Sequence, residues 1–155
     1  MILTSKKALV LGCNGQDGSL MCLSLLKQGF EVVGFSRSGA KVGDNHSKLD
    51  IAKDVVVEKG DINNFLDLDK IINYYQPEII FNLAAQSSVG KSFVQPIDTI
   101  NSIVKGTLNI LEVCRKNEFT GDIFFAGSSE IFGETQSLAD VNHSQSPVSP
   151  YGIAK

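Results

Sequence analysis

The feature that most constrains the fold is a short apolar run that leads directly into a glycine-rich turn. The run covers 8–12, and its last residue opens a segment with glycines three residues apart, at Gly12, Gly15 and Gly18. Apolar residues at helical spacing follow over 19–28. A strand, a glycine turn and a helix in this order begin a βαβ unit, so the pattern predicts an α/β protein.

Each glycine of this turn has a physical role if the unit binds a dinucleotide. The first permits the tight turn, the second lets a pyrophosphate approach the backbone, and the third lets the helix pack closely on the strand. Backbone N–H groups at the start of the helix then meet the pyrophosphate. The alternative is a glycine-rich turn without function. The residues predicted to bind the cofactor here are Gly12, Asn14, Gly15, Gln16, Asp17 and Gly18.

Four further apolar runs alternate with helical stretches along the chain. The runs cover 31–35, 55–57, 79–83 and 123–125, and the helical stretches cover 63–75 and 97–117. This alternation predicts a doubly wound parallel sheet with right-handed crossovers and the strand order 3-2-1-4-5. The polar segment 38–52 is predicted to be a loop, with room for a short helix. The chain, 1–155, is then an incomplete NAD(P)-binding domain, truncated after the fifth strand and the start of the following helix.

The fifth strand has no later strand to cover it in this prediction. Ile123, Phe124 and Phe125 would form an exposed apolar edge, which natural proteins normally cover, pair or protect with charge. We therefore expect the chain to dimerise through this edge, to aggregate, or to be a piece of a longer protein.

Composition limits the class of partner. The chain has 155 residues, of which 43% are hydrophobic and 20% charged, enough for one globular domain. A net charge of -3 argues against nucleic acid as a partner, because binding many phosphates needs a basic surface. No apolar run approaches the roughly 20 residues of a membrane span, and no cleavable signal is apparent. We expect a cytoplasmic protein without membrane contact.

The cysteines and histidines do not have the spacing of a metal site. Cys13, Cys22 and Cys114 are odd in number and widely spaced, so we expect reduced core thiols. His46 and His143 lie in polar, turn-like contexts, and both are predicted to be surface residues.

The end of the second strand bears on the choice of cofactor. NAD sites usually have an acidic residue there that binds the ribose 2′-hydroxyl. This chain instead has Arg37, flanked by Ser36 and Ser38. A guanidinium pairs bidentately with phosphate, so Arg37 favours the 2′-phosphate of NADP, and NAD fits less well. The alternative is a solvated surface arginine.

Two more segments follow strands and could line the same cleft. Asp61 and Ile62 come after the third strand, where the carboxylate either caps the next helix or binds the adenine amino group. Small residues end the fourth strand, where a nicotinamide ribose could approach the backbone; they could equally serve helix packing alone. The residues predicted to bind the cofactor here are Leu83, Ala84, Ala85 and Ser87.

Candidate catalytic groups lie in the last third of the chain. Ser128 and Glu130 follow the fifth strand, at the sheet edge where open α/β proteins bind ligands; a helix N-cap with a first-turn Glu is the structural alternative. Tyr151 and Lys155 stand four residues apart at the start of a helix, so they share one face. A nearby ammonium stabilises a phenolate, which makes Tyr151 a usable base.

These residues together resemble the extended short-chain dehydrogenase/reductase family, most closely the GDP-mannose 4,6-dehydratases. The resemblance covers essentially the whole chain. The Gln-Asp pair inside the glycine loop and the Ser-Ser-Glu triplet are more specific than the Rossmann signature. The matching segments are 15–19, 82–87, 92–93, 106–108, 128–133 and 149–155.

The resemblance implies an internal redox cycle on a nucleotide-sugar, with GDP-mannose favoured. Hydride leaves C4 of the hexose for NADP, water is eliminated across C5 and C6, and hydride returns to C6. It implies that Tyr151 takes the C4 hydroxyl proton and that Lys155 holds the nicotinamide ribose. It further implies that Ser128 bonds to the reacting oxygen and that Glu130 removes the C5 proton. The complete form would carry a C-terminal part for the nucleotide-sugar and form a homo-oligomer.

Two alternatives remain open from the residues alone. The chain could be an NADP-binding fragment that catalyses nothing. It could also belong to a nucleotide-sugar epimerase or ketoreductase of the same family. Glu130 favours the dehydratase, because an epimerase needs no base for C5.

Overall fold

The computed structural model describes residues 6–41 and 44–155, and these contain a five-stranded parallel sheet. The strands are β1 (Lys7–Leu11), β2 (Glu31–Ser36), β3 (Val55–Lys59), β4 (Ile79–Asn82) and β5 (Asp122–Phe125). Their order is β3-β2-β1-β4-β5, and each neighbouring pair is parallel. The predicted α/β class, doubly wound sheet and strand order are confirmed.

Helices cover both faces of the sheet. They are α1 (Gln16–Lys27), α2 (Asn45–Lys48), α3 (Phe65–Tyr75), α4 (Val89–Val94), α5 (Pro96–Ile100), α6 (Gly106–Lys116) and α7 (Pro150–Ala154). Alternate strand residues point to opposite faces. Leu9 and Leu11 therefore join a core with α3 and α6, whereas Ala8 and Val10 join a second core with α1. Within the described ranges, no helix combines the length and the apolar character that crossing a bilayer requires.

Capping explains where several helices differ from their predicted bounds. The structure starts α1 three residues earlier than predicted, because Gly15 of the turn is itself the N-cap. It starts α3 two residues later, because the Asn64 side chain accepts the Leu66 N–H at 3.0 Å. The short helix α4 was not predicted; Ser88 caps it by accepting the Lys91 N–H at 3.2 Å. Six residues are too few for an apolar period to show in the sequence.

The long helix predicted over 97–117 contains an irregular turn. Between α5 and α6 the chain forms a π-helical turn over Asn101–Lys105. Two hydroxyls bond back to the preceding turn: Thr99 donates to the Gln95 carbonyl at 2.8 Å, and Ser102 donates to the Thr99 carbonyl at 3.0 Å. Such bonds compete with the helical ladder and bend helices. The segment is helical as predicted, but not as one regular α-helix.

A single turn, α7, holds the Tyr-x-x-x-Lys pair. Ser149 caps it by accepting the Gly152 N–H at 3.0 Å, and Pro150 occupies its first position. Isolated helices of this length are unstable in water. Tertiary packing holds α7 instead, since it lies against α4, α5 and the turn after β5.

One histidine prediction is wrong and the thiol prediction is confirmed. His46 lies on α2 and is only 2% exposed, because α2 folds back against the glycine loop. A polar sequence context does not show such a long-range contact. Cys13, Cys22 and Cys114 are free and buried. Burial raises the pKa of the Cys13 and Cys22 thiols to about 12 and that of Cys114 to about 11.

The two edges of the sheet differ in chemistry. In the described part of the chain, β5 pairs only with β4, and Ile123, Phe124 and Phe125 are each more than a third exposed. The opposite edge strand, β3, carries two charged residues, Glu58 and Lys59. Charge protects an edge against pairing with another chain, whereas an exposed apolar edge invites it.

We expect the chain to self-associate through β5, and Phe124→Lys to suppress this association. The lysine removes an exposed apolar ring and adds charge to the edge. Sedimentation velocity should give the unmodified chain a mass above 16.7 kDa that rises with concentration. Phe124→Lys should sediment as a monomer.

Val56→Lys is the matched control on the other edge. Val56 is 48% exposed and Phe124 is 47% exposed, and both lie on edge strands. We expect Val56→Lys to associate as the unmodified chain does. A monodisperse monomer for the unmodified chain would show that β5 does not drive association.

Candidate active site

A cleft lies at the carboxyl ends of the first four strands, beside the point where the strand order reverses. This is the position at which open α/β sheets bind ligands. Its cavity measures about 300 Å³. Eight residues predicted to bind the cofactor line it: Gly12, Gly15, Arg37, Asp61, Ile62, Leu83, Ala84 and Ala85.

Two glycines allow the close approach of α1 to β1. Gly12 has φ +83°, a left-handed conformation that ends the strand one residue before the predicted end. At Gly18 a Cβ would fall onto the Gly12 carbonyl oxygen and lie 2.9 Å from Cys13 Cα. The helix can approach the strand only because residue 18 lacks a side chain.

The start of α1 faces this cleft through Gly15. Gly15 is the N-cap and also lines the cavity. Having no side chain, it leaves the first N–H groups of the helix without a side-chain cap. Gln16 and Asp17 are exposed and do not line the cavity with their side chains.

The loop after β2 carries the groups predicted to select the cofactor. Ser36, Arg37 and Ser38 all line the cavity, and the two hydroxyls lie 3.2 Å apart. Asn14 reaches this loop and donates to Ser38 Oγ at 2.8 Å and to the Gly39 carbonyl at 2.7 Å. Arg37 is exposed, and no carboxylate of the described residues forms an ion pair with it. Its guanidinium is free to meet an anion in the cavity.

The structure shows whether Asp61, in the segment after β3, caps the next helix. Asp61 does not cap α3, because Asn64 does. Its carboxylate instead accepts the Asn63 N–H at 2.9 Å, while its own N–H donates to Asp67 at 3.0 Å. Asp61 and Ile62 both reach the cavity wall.

Sequence analysis missed two polar wall residues, Asn63 and Ser102. The Asn63 side-chain oxygen is buried and has no hydrogen-bond partner among the described residues. Buried polar atoms normally have partners, so an orphaned acceptor beside a cavity fits a ligand that brings a donor. The position of Asn63, two residues after Asp61 in the segment that follows β3, could have indicated it. Ser102 comes from the π-helical turn, which no sequence period reveals.

The small residues after β4 lie against the glycine turn. An added Cβ at Gly12 would be 2.8 Å from Ala84 Cα, so the two turns touch. The Ala84 N–H donates to the buried Asn82 side chain at 3.3 Å. Ser87 was predicted to bind the cofactor, but it is exposed and does not line the cavity. The loop turns away from the cleft before Ser87 as it enters α4.

The turns that carry the candidate catalytic residues pack together at the carboxyl end of β5. Ser128 caps a 3-10 turn over Ser129–Ile131 and accepts the Glu130 N–H at 3.3 Å. Ser128 is therefore the N-cap of a helical turn that contains Glu130, as the structural alternative predicted. A Cβ at Gly152 would lie 2.6 Å from the Glu130 carbonyl oxygen, so this turn packs directly on α7. Folding thus brings the Ser128 and Glu130 turn beside the helix of Tyr151.

Tyr151 and Lys155 lie on the same face of α7. Tyr151 is 8% exposed. The Lys155 ammonium lies 5.7 Å from the centre of the Tyr151 ring and 4.8 Å from that of Phe125, and it donates to the Ala126 carbonyl. Partial burial lowers the pKa of Lys155 below its ordinary value. The pair is fixed to the carboxyl end of β5, and the cleft lies at the carboxyl ends of the other four strands.

Among residues 6–41 and 44–155, no cluster of three or more His, Cys, Asp or Glu side chains is placed to hold an ion.

The fold is an α/β domain of the Rossmann type, and solved structures share this architecture. The UDP-glucose 4-epimerase from Brucella ovis in complex with NAD superposes with a TM-score of 0.84 at 26% identity, over 97% of this chain and 44% of that chain. The UDP-glucose 4-epimerase of Thermotoga maritima with UDP-glucose gives 0.83 at 28% identity, over 96% and 47%.

Sequence comparison is more specific. The family model described as GDP-mannose 4,6 dehydratase matches residues 9–155, and this chain belongs to that family. It is 34% identical to a GDP-mannose 4,6-dehydratase of Yersinia enterocolitica, over 97% of this chain and 43% of that protein. It is likewise 34% identical to GDP-mannose 4,6 dehydratase 1 of Arabidopsis thaliana, over 97% and 45%. The chain spans less than half the length of these relatives.

We expect Gly18→Ala to lower the free energy of unfolding by about 2 kcal/mol, because the new methyl group pushes α1 away from β1. Thermal unfolding followed by circular dichroism measures the change. The same variant should bind a dinucleotide more weakly, since the helix N-terminus shifts relative to Gly12.

Gly90→Ala is the matched control, since Gly90 also lies in a helix but has nothing within 4 Å of an added Cβ. It should raise stability by about 0.5 kcal/mol through helix propensity. Equal melting temperatures for Gly18→Ala and the unmodified chain would contradict the packing role of Gly18.

Proposed function

We propose that this chain forms the cofactor-binding part of an NADP-dependent nucleotide-sugar 4,6-dehydratase that acts on GDP-mannose. One observation carries the proposal. A Ser-Ser-Glu turn packs directly on a Tyr-x-x-x-Lys helix, at the sheet edge that also bears the dinucleotide cleft. The family match supports the reaction, and the names of the relatives support the sugar.

The cleft fits a dinucleotide. The glycine turn is a cradle that side chains would fill, and the uncapped start of α1 favours a negatively charged group. In the proposal, the backbone of 14–18 holds the pyrophosphate, Arg37 with Ser36 or Ser38 holds the 2′-phosphate, and Asp61 with Ile62 borders the adenine. Leu83, Ala84 and Ala85 border the nicotinamide ribose. Bound NADP supplies an acceptor for the C4 hydride and later a donor to C6.

Tyr151 and Lys155 act first in this scheme. Tyr151 takes the proton of the C4 hydroxyl, and the Lys155 ammonium lies beside its ring. Ser128 donates a hydrogen bond to the reacting oxygen. Lys155 is held by the Ala126 carbonyl, which leaves its remaining N–H groups for the nicotinamide ribose.

Glu130 acts second. A ketone at C4 acidifies the C5 hydrogen, so the Glu130 carboxylate can remove that proton and pass it to the C6 hydroxyl, which leaves as water. The Glu130 backbone is fixed against Gly152 on α7, one residue from Tyr151. Acid–base groups for two successive steps therefore lie on contiguous turns.

Epimerisation at C4 is the second candidate. It is supported by the similarity to solved UDP-glucose 4-epimerases at 26% and 28% identity. An epimerase would use the same Tyr151, Lys155 and cofactor cleft but would need no proton transfer at C5. Glu130 therefore distinguishes the two reactions.

We expect Arg37→Ala to weaken NADPH binding by about thirtyfold and to leave NADH binding almost unchanged. A charge-assisted bond to a phosphate is worth roughly 2 kcal/mol, and only NADPH carries that phosphate. Fluorescence titration of the chain with each dinucleotide measures both constants.

Arg115→Ala is the control for loss of a surface arginine. Arg115 is exposed, pairs with Glu112 at 2.8 Å in the last turn of α6 and does not line the cavity. It should not alter either constant. An unchanged NADPH to NADH preference in Arg37→Ala would refute the assignment of Arg37.

We expect Glu130→Gln to lower turnover of GDP-mannose by at least about a hundredfold in a form of the protein that carries the reaction, because the amide cannot accept the C5 proton. Solvent deuterium should no longer enter C5 of the sugar. Dinucleotide affinity should be unchanged, since Glu130 does not line the cofactor cavity.

Glu134→Gln is the matched control, since Glu134 is an exposed glutamate four residues further along the chain. It should keep full turnover. If Glu130→Gln also kept turnover, and solvent deuterium did not enter C5 even with the unmodified protein, dehydration would be excluded and epimerisation at C4 would become the better assignment.

A further inference from the structure

Two adjacent side chains of α2 bind two adjacent carbonyls of the glycine loop. His46 Nε2 lies 2.9 Å from the Cys13 carbonyl oxygen. Asn45 donates its side-chain N–H to the Asn14 carbonyl at 3.1 Å. Because a carbonyl can only accept, His46 carries its proton on Nε2. We call Asn45 and His46 the α2 clamp.

The α2 clamp is a buried and anchored contact. His46 is 2% exposed and Cys13 is fully buried, so removing the imidazole leaves a carbonyl without access to water as a partner. The helix itself is only one turn long. It is held in place because Asp44 accepts the Ser47 N–H at 3.1 Å and the Ile51 N–H donates to the His46 carbonyl at 3.0 Å.

The clamped carbonyls directly precede the residues that begin α1. Cys13 and Asn14 connect Gly12, at the end of β1, to Gly15, the N-cap of α1. Gly15 N–H also donates to the Gly12 carbonyl at 3.0 Å, which closes the turn on itself. The direction of the loop N–H groups follows from the orientation of these peptide planes. Fixing two consecutive carbonyls therefore fixes the two peptide groups that lead into Gly15, which lines the cleft.

We propose that His46 and Asn45 are positioning residues for dinucleotide binding, which hold the glycine loop in the conformation that receives the pyrophosphate. The inference rests on the cofactor site of the proposed function, not on the sugar or the reaction. It assigns a role to a segment, 44–48, that lies outside the cavity wall. Loss of the clamp lets the loop adopt other conformations, and binding must then select the competent one.

The clamp has a signature that separates it from Arg37. NADPH and NADH share the pyrophosphate and differ only in the 2′-phosphate. A defect in the glycine loop must weaken both dinucleotides by the same factor, whereas loss of Arg37 affects NADPH alone. The ratio of the two affinities therefore tells the two roles apart.

The test is fluorescence titration of the chain and four variants with NADPH and with NADH, together with their melting temperatures. His46→Leu removes the donor and keeps an apolar side chain; we expect about tenfold weaker binding of both dinucleotides. His46→Gln offers an amide N–H at nearly the same reach and should recover most of the affinity. Asn45→Ala, at a half-buried position, should weaken both by about threefold with little change in melting temperature.

Lys48→Ala is the control on the same helix, since Lys48 is exposed, and it should leave both affinities unchanged. The inference would be overturned if Asn45→Ala and His46→Gln both kept the affinities of the unmodified chain while His46→Leu bound normally. It would also be overturned if those two variants kept the affinities and His46→Leu did not fold. A change in the NADPH to NADH ratio would also overturn it, because the effect would then lie at the 2′-phosphate. If the unmodified chain bound neither dinucleotide, the cofactor site of the proposed function would fail, and the clamp with it.

Discussion

The position of the cleft depends on the contact between the first turn of α1 and the end of β1. A Cβ at Gly18 would collide with the Gly12 carbonyl, so these two backbones touch without side chains between them. This contact places a helix N-terminus beside the central strand of the sheet, with β2 on one side and β4 on the other. The loops after both neighbours then converge on the same cleft, because parallel strands all end at one edge.

The candidate catalytic residues lie after a different strand, β5, at the same carboxyl-terminal end of the sheet. The Ser128 and Glu130 turn and α7 are too short to be stable alone, and each is held by the other. Lys155 adds a bond to the Ala126 carbonyl that ties the last turn to β5. The order of the catalytic groups therefore depends on tertiary packing more than on helix propensity. The cleft and the candidate catalytic residues lie at the same carboxyl-terminal end of the sheet, but separate sets of contacts support them.

Sequence reasoning found what periodicity and turn chemistry encode. Gly12 and Gly18 indicated the strand–helix contact, and the alternation of apolar runs indicated the strand order. It failed where the deciding contact is long-range. His46 sits in a polar segment, and only its bond to a residue 33 positions away makes it a buried group. Ser102 reaches the cleft because it lies in a π-helical turn, and the regular spacing of apolar residues in the sequence does not predict such a turn. Only the folded structure shows that the Asn63 side-chain oxygen is buried and has no hydrogen-bond partner among the described residues.

The two ends of the cofactor site are joined through one side chain. Asn14 belongs to the glycine loop, yet its amide holds Ser38 and the Gly39 carbonyl after β2, beside Arg37. Its own carbonyl is in turn held by Asn45 of α2. Hydrogen bonds of one side chain therefore connect the glycine loop to the loop after β2. In the proposed function, Arg37 is therefore anchored beside the glycine loop through its backbone neighbours, while its own side chain remains exposed.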